Sequence, residues 1–452
     1  MNTQNKEMSV SIRSGNEIAL IWNGNKISYG VLSERIAYWY EQIAEIKSGA
    51  VVALQGDFSP ECIAILFALI NKKAIVVPLD LKQHEKNTKK LEIANVEVII
   101  DCNEKDEVSI YYINQICEIP KNDLYNEIIY RGVPGLVLFT SGSSGEPKAA
   151  VHDFSKLLEK FKLHRKAFIT INFLLFDHWG GLNTLFHVIF NGGTVVTLQD
   201  RNPDYVCKLI QDYRVELLPT SPSFLNLLLL GRAYERWDLK SLKIISYGSE
   251  PMPENLLTKL NSVFKDVSLV QTYGLIELGV LRSKSESNES LWVKIGGEGY
   301  QVRVVDGLLQ IKSESTMLGY LNAENPFTED GWFMTGDSVE VKGEYFRILG
   351  RKSELINVGG EKVFPQEVEN VILELDYVED VIVSGSKNPI LGTIVIAKVK
   401  LRDNDNSDKK AIVANIKKHC NNRLSRFKVP VQISFSEEEF VNDRFKKGRI
   451  GL

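Results

Sequence analysis

Residues 136–152 read LVLFTSGSSGEPKAAVH. An apolar run of strand character leads into a segment holding Thr140, Ser141, Gly142, Ser143, Ser144, Gly145, Pro147 and Lys148. Glycines let main-chain N–H groups turn toward an anion, hydroxyls donate to phosphate oxygens, and Lys148 adds a full positive charge. Ser/Gly clusters are also ordinary solvated turns, so composition alone leaves both readings open. A P-loop needs G-x-x-x-x-G-K-[ST] at the opening of a helix. Here Pro147-Lys148-Ala149 lacks the second glycine and the magnesium-binding hydroxyl, and the proline favours an extended path over a helix start. If the stretch binds nucleotide, it does so in another way.

Working outward, the first 130 residues alternate in helix and strand character. LSERIAYWYEQIAEI has apolar residues at spacings of three and four, AVVALQGD reads as a buried strand, and Ser59-Pro60 opens a helix before the strand AIVVPLD. The rhythm continues through GGTVVTLQD, VELLPT and LKIISYGSE. Strands separated by helices imply parallel pairing with helices on both faces. After about residue 290, short strands punctuated by Gly-Asp and Gly-Glu turns predict a small β-rich unit. From about 352 a compact segment with two helices and three strands follows, so the expected boundary lies near Gly350–Ser353, with domains over 1–350 and 351–452.

Composition narrows the function classes. The chain has 452 residues, 54 Lys+Arg against 58 Asp+Glu and a net charge of −4, which argues against a dedicated nucleic-acid binder. No apolar run reaches about 18 residues, so no membrane span is expected, and the first residues carry no secretory pattern. The five cysteines are scattered and never form C-x-x-C, which suits a reducing compartment and excludes a disulfide framework. The cytoplasm is the expected location.

TSGSSGEPK resembles the signature of the adenylate-forming enzymes, the group of acyl-CoA synthetases, peptide-synthetase adenylation domains and luciferases. The resemblance recurs in order along the chain: FDHWGG (176–181) for the family's H-x-x-G, YGSEPMP (247–253) for its adenine loop, QTYGLIE (271–277) for YGxTE, GWFMTGD (331–337) for Y-R-T-G-D, and GRKSELINVGGEKVFPQEVE (350–369) for its hinge region. It implies a large α/β N-terminal region of two mixed, largely parallel sheets with a small β-rich unit, and a mobile α+β C-terminal domain. It implies an ATP-dependent carboxylate ligase that forms an acyl-adenylate and then a thioester with CoA or a phosphopantetheine carrier protein.

By the same resemblance, Thr140, Ser141, Gly142, Ser143, Ser144, Gly145 and Lys148 would hold phosphates. Gly248, Ser249, Glu250, Gln271, Thr272 and Gly274 would surround the nucleotide, with Tyr273 stacked on adenine. Glu277 would take Mg2+, and Asp337 with Arg351 would hold the ribose. Phe176, His178, Trp179 and Gly180 would line the acyl pocket for a medium-sized apolar or aryl carboxylic acid. Gly359, Gly360 and Lys362 would form the thiol side, and Ser353 the hinge.

Three departures stand out. Ile276 replaces the hydroxyl residue of YGxTE, and Ser353 replaces the hinge aspartate. The tail VNDRFKKGRIGL places Arg449, with Lys446 and Lys447 close by, where the family keeps a catalytic lysine; a planar guanidinium is not equivalent to a compact ammonium. Two alternatives therefore stay open: transfer to an amine or a dedicated carrier protein, and a nucleotide-binding member with impaired catalysis.

Overall fold

The structure is a computed structural model describing residues 12–13, 15–113, 122–141, 146–297, 299–388, 392–402, 408–438 and 440. Two seven-stranded sheets carry the N-terminal region. In the first, strands Val98–Cys102, Val51–Gly56, Ile75–Asp80 and Gly135–Ser141 run parallel, and Pro147–Asp153 returns antiparallel to the last of these. The central strands Val51–Gly56 and Ile75–Asp80 are buried almost throughout, as doubly covered parallel strands must be. The helix Pro60–Asn71 between them follows Ser59 with proline in its first turn, and its residues Cys62–Ile70 are all buried. Val108–Tyr112 adds an antiparallel edge strand that the sequence pattern did not announce.

The second sheet orders Ser268–Gln271, Ile244–Tyr247, Leu217–Thr220, Ile169–Ile171, Thr194–Val196, Ile18–Trp22 and Asn25–Ser28. All its pairings are parallel except the terminal hairpin. Phe67 from the first layer meets Phe186 from the helix Trp179–Asn191 edge-on at 5.5 Å between ring centroids, so one aromatic core lies between the two sheets. A six-stranded antiparallel sheet follows, ordered Ser283–Ser285, Val293–Ile295, Tyr345–Arg351, Phe333–Lys342, Leu308–Ser313 and Tyr300–Val305. This is the fold class expected from the sequence.

Beyond Arg351 the chain builds the sheet Val378–Asn388, Gly392–Leu401 and Gln432–Phe435 with helices Pro365–Ile372 and Lys409–Arg423, plus the hairpin Ile356–Val358/Glu361–Val363. Its apolar side chains form a cluster of their own, including Val363, Val368, Val381, Val383 and Ile416. Glu369 is fully buried beneath this sheet, and its carboxylate accepts the Val383 amide at 3.0 Å, pinning helix to strand. Among the described residues no helix is long and apolar enough to cross a membrane, and Cys62, Cys102, Cys207 and Cys420 are free and buried.

Removing the Glu369 carboxylate strands a buried N–H, which typically costs about 1–3 kcal/mol. Glu369→Ala should therefore lower the denaturation midpoint and raise hydrogen exchange at the Val383 amide first. Unchanged protection at that amide would contradict this account of the C-terminal core.

Candidate nucleotide and acyl site

The loop of the opening motif joins two antiparallel strands. Thr140 pairs with Lys148 across the ladder, so the chain after Pro147 continues as a strand. Gly142, Ser143, Ser144 and Gly145, and the tail residues Lys446, Lys447 and Arg449, lie outside the described residues. Asn322 clamps the lysine strand from both sides: its carbonyl accepts Ala149 N at 3.0 Å and its amide donates to Pro147 O at 2.9 Å. The Lys148 ammonium stands 5.6 Å from the Tyr320 ring centroid.

The strand ends Ile244–Tyr247 and Ser268–Gln271 lie side by side, bringing YGSEPMP against QTYGLIE. A Cβ on Gly248 would fall 2.4 Å from Thr272 Oγ1 and 2.8 Å from Thr272 O. Only glycine permits that approach. Ser249 follows in the left-handed region at φ 70°, an uncommon conformation that here forms a sharp bend. Glu250 turns its carboxylate onto Ser223 N, 2.6 Å away at the start of the helix Pro222–Leu230. A negative group is favoured there by the helix dipole. Thr272 is tied to Tyr247 O through its amide, 2.7 Å, and its hydroxyl, 3.1 Å. Gln271 is buried, and its side-chain oxygen has no hydrogen-bond partner among the described residues.

The next two residues reach a distant strand pair. Tyr273, 7% exposed, donates its hydroxyl to Asp337 Oδ2 at 2.6 Å. Asp337, 5% exposed, lies opposite Arg351 in register, and the guanidinium Nε meets Oδ1 at 3.0 Å. Burial pushes the Asp337 carboxyl above the ordinary aspartate value, while Arg351 and the Tyr273 hydroxyl pull it back. Burial and the neighbouring carboxylate raise the Tyr273 phenol well above its usual value, so it remains a donor.

Gly274 pairs with Val280 in a tight hairpin; a Cβ there would sit 2.8 Å from Gly279 O. Ile276 turns into the core, so the position where the family's hydroxyl would stand is taken up by apolar packing. His152, buried on the Lys148 strand, faces the main chain of Ile276 and Ser315, and burial pushes its imidazole down to about 4. Glu277 remains half-buried. Its carboxylate accepts the Tyr320 hydroxyl at 2.5 Å, and its carbonyl accepts Met317 N at 2.8 Å.

The FDHWGG segment is mostly buried. His178 caps the helix Trp179–Asn191, its Nδ1 accepting Gly180 N at 3.0 Å. Gly181 is required because a Cβ would meet Leu175 O at 2.2 Å. Phe176 and Trp179 are each at most 2% exposed, set edge-on against Phe58 and Phe154. Asp177 forms a buried ion pair with Lys90, 3.5 Å apart, which the sequence reading missed because nothing in HEKNTKKLEI separates Lys90 from its exposed neighbours.

On the C-terminal side, Gly359 and Gly360 form the hairpin tip at φ 59° and 96°, with open space around both and the Gly360 amide held by Asn357 at 2.9 Å. Lys362 is exposed, as is Ser353 in the 3-10 turn Lys352–Glu354. Asn255 donates to Leu373 O at 2.8 Å across the two regions. A cleft beside that contact is lined by Pro253, Leu256, Val378 and Asp380, and of the nucleotide-site candidates only Glu250 borders it.

Residues 10–321 match the AMP-binding enzyme family and residues 367–446 the AMP-binding enzyme C-terminal domain. The chain belongs to the AMP-binding enzymes. Among relatives, it is 26% identical over 452 aligned residues to 2-succinylbenzoate–CoA ligase of Bacillus cytotoxicus, covering 93% of this chain and 92% of that protein. It is 30% identical over 366 residues to acyl-CoA synthetase 7 of Caenorhabditis elegans, covering 73% and 65%. Among solved structures it resembles the anthranilate CoA ligase AuaEII bound to anthranoyl-AMP, with TM-score 0.81, 20% identity and coverage of 96% and 92%. That likeness concerns the fold.

Gly248→Ala should push Thr272 and Tyr273 out of place, a kind of overpacking that costs about 1–3 kcal/mol. The check is a denaturation curve alongside nucleotide affinity; a variant with wild-type values for both would show that the approach of the two loops is not tight.

Proposed function

We propose that the protein is an AMP-forming carboxylate ligase that transfers its acyl group to a thiol. The observation that carries this reading is the convergence of three remote segments on one place: the Lys148 strand, Tyr273 with the Gly274–Val280 hairpin that carries Glu277, and the Asp337/Arg351 strand pair. A buried carboxylate with a guanidinium partner suits the paired hydroxyls of a ribose. The unpartnered Gln271 oxygen is a buried acceptor that a bound ligand's N–H could satisfy.

Among the described residues no cluster of three His, Cys, Asp or Glu could hold a metal by itself. Mg2+ takes one or two carboxylates together with substrate phosphates, so a single half-buried carboxylate is enough on the protein side. Glu277 would be the protein ligand. The ion, when bound, would draw charge from the phosphate oxygens.

In the first step the acid's carboxylate oxygen attacks the α-phosphorus of ATP. A phosphorus–oxygen bond forms and the bond to the pyrophosphate oxygen breaks. Lys148, with the Thr140–Gly145 loop, would stabilise charge on the departing pyrophosphate, and one of Lys446, Lys447 or Arg449 the carboxylate and α-phosphate. In the second step a thiol attacks the acyl carbonyl, loses its proton, and AMP leaves. CoA is the favoured acceptor, since the relatives matched across both regions are CoA ligases; a phosphopantetheine carrier protein offers the same thiol. Gly359, Gly360 and Lys362 would approach that thiol after rotation about Ser353. The substrate class, an aryl or medium-sized apolar acid, rests on the resemblance of FDHWGG to the family's acyl-pocket segment, since Phe176 and Trp179 are themselves packed into the core.

Acid-dependent ATP–pyrophosphate exchange tests the reading, followed by thioester formation with CoA, carrier protein and an amine in parallel. Lys148→Ala should reduce exchange about 100- to 1,000-fold; no AMP formation with any acid would exclude ligation. The pH dependence has a definite sign. Asp337 must be ionised to accept the ribose hydroxyls, and its carboxyl is raised by burial. ATP affinity should therefore fall on acidification sooner than an ordinary aspartate would require, and Asp337→Asn should show weak binding without that dependence.

A further inference from the structure

We infer that Tyr320 positions the two charged groups of the phosphate site, holding the Glu277 carboxylate in orientation while keeping the Lys148 ammonium from closing on it. The inference rests on the reading of Lys148 and Glu277 given above and extends it to a residue outside the recognised motifs.

The placement follows from strand register. Gly319–Tyr320 pairs antiparallel with Pro147–Asp153, Tyr320 opposite Ala150 and Gly319 opposite Val151. Lys148 and Ala150 are two apart on one strand and share a face. Tyr320 is therefore the diagonal cross-strand neighbour of Lys148, within reach of long side chains. The ammonium accordingly lies 5.6 Å from the ring centroid, within cation–π range. The other end of the same side chain reaches Glu277, its hydroxyl 2.5 Å from Oε1. That is the short O–H···O⁻ geometry of a charge-assisted bond. No ion pair joins Lys148 to Glu277 among the described residues, although both touch this tyrosine.

The surroundings fix Tyr320 in that place. Its amide donates to Asn325 Oδ1 at 2.7 Å, while Asn322 clamps the main chain on both sides of Lys148. A phenol O–H donates and an ionised carboxylate only accepts, so the bond runs from Tyr320 to Glu277. A direct Lys148–Glu277 pair would neutralise the charge meant for phosphate and block the oxygen meant for the metal. The ring separates them, and the hydroxyl leaves Glu277 one oxygen directed by a bond and one available.

Two substitutions separate the two duties. Tyr320→Phe keeps the ring and removes the hydroxyl; Tyr320→Leu removes both. ATP binding is measured by calorimetry with and without Mg2+, with Lys148→Ala and Glu277→Gln alongside, and thermal melts check folding. Tyr320→Phe should leave metal-free ATP affinity unchanged and raise the Mg2+ concentration for half-maximal enhancement about ten-fold or more, as loss of a hydrogen bond to a charged group does. Tyr320→Leu should in addition lose metal-free affinity, as Lys148→Ala does. Should Glu277→Gln shift the Mg2+ dependence while Tyr320→Phe matches wild type, the positioning role is wrong and the site reading survives. Should Lys148→Ala and Glu277→Gln both bind like wild type, the site reading itself falls, and this inference with it. If Tyr320→Leu fails to fold, the Phe variant alone decides.

Discussion

A carboxylate almost wholly removed from water is the constraint on which this site depends. Asp337 is tolerable at 5% exposure because Arg351 supplies the opposite charge and Tyr273 a hydroxyl. Breaking such a set by removing one partner is costly, since the charge is then left uncompensated. The bond between Tyr273 and Asp337 spans 64 residues and ties the second parallel sheet to the antiparallel one. The strand of Arg351 leads directly into the 3-10 turn Lys352–Glu354 and the C-terminal unit. One interaction thus fixes the place where three parts of the chain meet.

A second network stands beside it. Glu277 is four residues beyond Tyr273, and Tyr320 connects it to the Lys148 strand of the first sheet. The hairpin Gly274–Val280 follows Tyr273 directly, carries Glu277 in its turn and is tightly closed at Gly274, so Tyr273 and Glu277 are held at a fixed spacing by main chain. The hairpin tip at Gly359–Gly360 is exposed, and a Cβ added at either glycine would meet no other atom.

The architecture was legible because its signals are local. Buried strands such as AVVALQGD alternate with amphipathic helices, and Ser59-Pro60 and Asn202-Pro203 open helices where a cap and a first-turn proline should. Gly248 and Asp337 were likewise readable, since each sits in a recognisable motif. Tyr320, Asn322 and Lys90 were not. Their importance arises from pairing with residues far away in sequence: Tyr320 with Glu277, Asn322 with Pro147 and Ala149, Lys90 with Asp177. Register between remote strands leaves no periodic trace in either partner. His178 shows the converse, a motif residue whose immediate bond is a helix cap.

The central claim is that an organic acid attacks the innermost phosphorus of ATP at this site. A carboxylic acid substrate carrying heavy oxygen in its carboxylate tests it most directly, with mass spectrometry of the nucleotide released after thioester formation. The account predicts one labelled oxygen transferred to AMP and none to pyrophosphate. Unlabelled AMP, or label in the inorganic product, would contradict it.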